Sequence, residues 1–84
     1  MIVSLLRTTE EGQVVLGEYR LEAGSKIFIH ASKEAYGFME EMLNQEIDGL
    51  KASEDPEAFL EALLGQFQGS MLSAIETTDE GAQN

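Results

Sequence analysis

The hydrophobic period changes part-way along the chain. Up to about residue 31 apolar residues come in short runs or at alternate positions, the repeat of an extended strand; beyond it they return every three or four residues, the repeat of a helix. Ile2 to Arg7 is a short apolar run that ends at Thr8-Thr9-Glu10-Glu11-Gly12, a turn in which glycine supplies a positive φ. Gln13 to Glu22 alternates, with Val15, Gly17, Tyr19 and Leu21 predicted on one face and Val14, Leu16, Glu18 and Arg20 on the other. Ala23-Gly24 then predicts a tight hairpin into Lys26 to Ala31, where Ile27 and Ile29 oppose Lys26, Phe28 and His30. Connections this short favour an antiparallel meander.

Ser32 is the predicted N-cap of a first helix over Lys33 to Lys51, because its hydroxyl can accept from an unpaired first-turn N–H. Ala35, Phe38, Met39, Met42, Leu43, Ile47 and Leu50 supply its apolar face. Asp55 followed by Pro56 marks a second start, since proline at the first helical position lacks only an N–H that would be orphaned there. Phe59, Leu60, Leu63, Leu64, Phe67, Met71, Leu72 and Ile75 extend this second helix to Glu76. The remaining polar residues, 77–84, are expected to form a disordered acidic tail. The expectation is one α+β domain over residues 1–76: a three-stranded antiparallel meander (strands within 1–31) covered on one face by a two-helix hairpin (33–76), in the order β-β-β-α-α.

Charge changes this picture by dividing the chain. Residues 1–32 hold three bases and four acids, whereas residues 33–84 hold two bases and twelve acids, within a formal net charge of -11 for 84 residues. An anionic surface of this kind disfavours direct contact with nucleic acid or an anionic membrane. Hydrophobic residues still make up 43%, enough to collapse a domain despite the repulsion. Cysteine is absent, so disulfides, thiolate metal sites and a cysteine nucleophile are excluded. No apolar run approaches the roughly 18 residues of a membrane span, and the start lacks the basic region of a signal peptide. The expected location is the cytoplasm.

Four features bear on function. Glu34, Glu41, Asp48 and Asp55 recur every seven residues, which on one helix would set carboxylates about 10.5 Å apart. Ala58, Ala62, Gly65, Gly69 and Ser73 form a stripe of small residues suited to close approach by a neighbouring backbone or a second copy. The second helix also carries more apolar surface than one sheet face covers, which points to Phe59, Leu63, Phe67 and Met71 as contacts where exposed. Arg20, Lys26, Phe28 and His30 share the remaining strand face. His30 is the single histidine, and no nucleophile elbow, phosphate-binding loop or zinc-protease motif occurs. No catalytic residue, cofactor or metal is therefore expected. The expected function is a small acidic protein-interaction module, homodimeric through the last helix, with a protein partner that can be basic. Its contact residues would be Phe59, Leu63, Phe67, Gly69, Met71, Glu34, Glu41 and Asp48. The alternative is an acidic inhibitor that imitates nucleic acid and fills the basic groove of a DNA- or RNA-binding protein; small phage inhibitors and immunity proteins are similar in size and charge, an analogy of composition alone.

Overall fold

A computed structural model describes residues 1–23, 26–67 and 71–77. Its elements run β1 (Ile2–Thr9), β2 (Gly12–Glu22), β3 (Lys26–Ala31), α1 (Lys33–Leu43), β4 (Glu46–Ile47), β5 (Leu50–Lys51), α2 (Pro56–Gln66) and β6 (Leu72–Thr77). The main sheet has the order β3-β2-β1-β6, antiparallel throughout, and β4 and β5 form a separate two-stranded ribbon. The α+β class and the meander of the first three strands stand. Both helices are shorter than the periodicity suggests, and a fourth strand joins the sheet.

The first helix ends at Leu43 rather than Lys51, capped by the Asn44 N–H on the Glu41 carbonyl. Residues 46–51 form a ribbon instead, turning at Asp48-Gly49, both with positive φ (52° and 79°). That is the geometry Asp-Gly favours in a two-residue hairpin. Ile47 and Leu50 fit a helical repeat as well as a strand pair, which conceals the turn from periodicity alone. The second helix stops at Gln66, not Glu76, and Leu72–Thr77 pairs with β1 from Arg7↔Leu72 to Ile2↔Thr77. The reason lies in β1. Ile2, Ser4 and Leu6 are buried, and pairing with β2 alone would leave their outward N–H and C=O groups without partners, which β6 supplies. Thr77 thus closes the sheet; the rest of the expected tail, 78–84, and the Gly24 turn lie outside the described residues.

Both predicted caps form. Ser32 Oγ accepts from the Ala35 N–H (3.2 Å) and Asp55 Oδ1 from the Ala58 N–H (3.2 Å), with Pro56 in the first turn. The helices cover a single face of the sheet. Val3, Leu5, Tyr19 and Ala74 meet Met39 and Met42 from α1, Phe59, Leu60 and Leu63 from α2, and Ile47 from the ribbon. α1 can lie this low because β2 carries Gly17 beneath it. A Cβ there would sit 2.6 Å from the Ala31 Cβ, 2.7 Å from the Met39 sulfur and 2.8 Å from the His30 carbonyl oxygen. The Tyr19 hydroxyl, fully buried, donates to the Met39 carbonyl at 2.8 Å and ties β2 to α1.

The alternation predicted for β2 holds only in its second half. Leu5 pairs with Gly17 but Leu6 pairs with Val15, which leaves Leu16 as an unmatched residue in a bulge. The bulge reverses the faces before it. Val15 leaves the side of Tyr19 and becomes exposed, while Leu16 packs against the core.

Candidate functional site

The residues selected from the sequence are distributed among different environments. Phe59 and Leu63 are fully buried, spent on the core between α2 and the sheet, so they reach a partner only if the core opens. Phe67 caps α2 and is half-buried, whereas Met71 is 74% exposed beside the start of β6. Gly69 lies outside the described residues.

The sevenfold acidic repeat does not form one row, because its members belong to three kinds of structure. Glu34 and Glu41 are exposed on α1, Asp48 occupies the tight turn between β4 and β5, and Asp55 is engaged as the cap of α2. The small-residue stripe is broken as well, since Ser73 belongs to β6. Its helical part is divided too: Ala58 and Ala62 are half-buried, whereas Gly65 is exposed and, its own helix backbone aside, has no described atom within 4 Å of where a Cβ would stand. Among the described residues Ala62 packs against the core, while Gly65 faces open space.

What the fold does assemble is the sheet face turned away from the helices. By strand alternation Ile2, Ser4 and Leu6 of β1 point to this face, and all three are buried at its centre. Around them stand Val15 (61% exposed), Phe28 (46%) and Ile75 (45%) on β2, β3 and β6. The charges on this face balance: Glu18 and Glu22 alternate with Arg20, and Lys26 sits opposite Glu22. Arg20 Nε donates to Glu18 Oε1 at 2.9 Å. The contrast with the helical layer is sharp, since residues 33–66 hold nine acids and two bases. Phe28 was legible as a strand-face aromatic in the sequence. Val15 was hidden by the bulge, and Ile75 by its compatibility with a helical repeat.

Among the described residues, two of the clefts open on the helix side. One, of about 310 Å³, lies between β3 and the end of α1, lined by Ile27, Leu43, Asn44, Gln45, Lys51 and Ser53. The other, of about 230 Å³, is bounded by Arg7, Leu16, Ser32, Glu34 and Phe38 at the start of α1. Burial pushes the Tyr19 phenol far above its ordinary range, so it stays a neutral hydrogen-bond donor to the helix. Among the described residues no three His, Asp or Glu side chains come together as a metal site, and no helix is long and apolar enough to cross a membrane. Compared with known proteins, the chain matches no family model, no curated protein and no solved structure.

Proposed function

We propose that this chain is a non-catalytic protein-interaction domain that binds its partner through the helix-free face of the sheet. The observation that carries this reading is the apolar set Val15, Phe28 and Ile75, exposed on a face of balanced charge in a protein of net charge -11. Apolar side chains surrounded by polar groups are the usual anatomy of a protein contact. A strongly acidic molecule is otherwise held off by most other acidic surfaces, so a neutral face is where contact costs least. The acidic helical layer then acts at longer range, favouring basic partners during encounter more than it contributes to final affinity.

The test is co-purification of bound protein with the tagged chain, released by a salt gradient. Partners should resist high salt, and Phe28→Glu combined with Ile75→Glu should release them. Glu34→Lys combined with Glu41→Lys should leave them bound. The opposite result, with partners lost on moderate salt and on reversal of Glu34 and Glu41 but retained by the sheet variant, would sink this reading. It would favour the nucleic-acid mimic instead, because exposed charge contacts are screened over about 8 Å at physiological ionic strength.

A further inference from the structure

The hydrogen-bond register shows which backbone groups face outward at each edge of the sheet. Leu21 N–H donates to the Met1 carbonyl at 2.8 Å, so the bonded pairs of β1 and β2 continue through Val3–Tyr19 and Leu5–Gly17. Glu18, Arg20 and Glu22 therefore turn their backbone groups to β3, where they meet His30, Phe28 and Lys26. This leaves Ile27, Ile29 and Ala31 of β3 with N–H and C=O directed away from the sheet. By the same logic the bond from Thr8 N–H to the Met71 carbonyl (2.9 Å) makes Leu72, Ala74 and Glu76 the outward residues of β6. That edge is closed at its middle, where the Phe67 carbonyl accepts the Ala74 N–H at 3.3 Å. At β3, the other edge of the sheet, no such bond is made among the described residues.

We infer that two copies of this chain pair through their β3 edges, Ile27, Ile29 and Ala31 of each forming an antiparallel ladder about a twofold axis, to give one continuous eight-stranded sheet. The register and the side chains it brings together along this strand favour a second copy as the occupant. With Ile29 on the axis, Ile27 faces the partner's Ala31, Phe28 faces the partner's His30, and Lys26 faces the partner's Ser32, so no like charges are opposed. The helix above the edge is suited to the same contact. Glu34 and Phe38 flank the cleft toward Arg7 and Leu16, which turns the other side of α1, with Tyr36, Glu40 and Leu43, over β3.

The size of the contact sets its strength. A six-residue strand is about 20 Å long. With one helix flank it buries on the order of 600 Å² per partner, against about 800 Å² for a standard stable interface. The dimer contact is accordingly smaller than a standard stable interface, and its population rises with protein concentration. It tightens with added salt, because two copies of charge -11 repel each other. The dimer meets the partner-binding face at Phe28 and leaves that face uncovered. Each copy keeps its helix-free face, and the two become continuous.

Sedimentation of the untagged chain from 5 µM to 500 µM tests this, with amide hydrogen exchange read at both ends of the range. The expected result is a species of twice the 9.2 kDa chain mass at high concentration, and at least tenfold slower exchange at Ile27, Ile29 and Ala31 on dimerisation. Ile29→Pro removes an outward N–H together with a side chain packed against the core; proline is tolerated on an edge strand, so the variant should be less stable but folded, and monomeric. Should that variant unfold, the exchange data on the unaltered chain decide. A monomer at every concentration, a dimer whose three amides exchange as freely as in the monomer, or a folded Ile29→Pro dimer would each overturn the inference.

Discussion

Each edge of the sheet has a helix packed beside it, yet the two edges are finished differently. At β6 the helix comes first in the chain. α2 buries Phe59, Leu60 and Leu63 completely, and its cap residue Phe67 bonds to Ala74 on the outer side of the strand. At β3 the helix comes second. α1 buries Ala35, Met39 and Met42, leaves a cleft of about 310 Å³ beside Ile27, and makes no bond to the outer backbone of the strand. An edge is closed by whatever chain happens to run along it, and the covalent order decides which chain that is. Phe67 at the end of α2 bonds to the outer side of β6, whereas Ser32 leads directly from β3 into α1. Free edges are where sheets associate.

Substitutions should divide along this comparison. Phe59→Ala on the closed side should cost most, about 3–5 kcal/mol, from lost transfer energy plus a cavity. In a domain of roughly 5–15 kcal/mol total stability that is close to unfolding, and urea titration followed by circular dichroism would measure it. On the open side Gly17→Val should cost about 1–3 kcal/mol or more, since its new atoms meet the Ala31 side chain and the fixed His30 carbonyl as well as flexible Met39. An unchanged urea midpoint would mean that α1 can lift off β2.

Tyr19→Phe should cost about 1 kcal/mol by leaving the Met39 carbonyl without its buried donor. This residue also predicts a pH dependence. Below pH 10 the phenol is neutral in both folded and unfolded chains and its contribution is constant. Above about pH 10 the unfolded chain ionises while the buried phenol does not, so stability falls as pH rises. Urea titrations at pH 8 and pH 11 should show a smaller alkaline loss for Tyr19→Phe than for the unaltered chain. The smallest effect should have the opposite sign. Gly65→Ala on the uncovered side of α2 should stabilise by about 0.5–1 kcal/mol, because open space receives the methyl group and the helix loses a flexible residue. A loss of stability there would reveal a contact that the isolated chain does not make.

Local chemistry accounts for what could be read from the sequence. The meander, the Ser32 and Asp55–Pro56 caps and the facing of Ile27 and Ile29 against Phe28 and His30 depend on residues within a few positions of one another. Turn geometry and capping operate at that range. The Asp48-Gly49 turn belonged to the same class of signal, but Ile47 and Leu50 also satisfy a helical repeat, which obscured it.

Tertiary structure decided the rest. Leu72 to Thr77 could be helix or strand by its own pattern, and became a strand because β1, with buried residues along it, had a backbone edge to be paired. The reversal of Val15 and Leu16 depends on a bulge that only pairing with β1 produces. The fates of Phe59, Leu63, Glu34 and Asp48 were likewise set by which elements packed over which. Residue type and spacing establish which side chains can be buried. Which ones are, and which edge of the sheet stays free, depends on contacts between segments distant in the chain, and no local pattern records those.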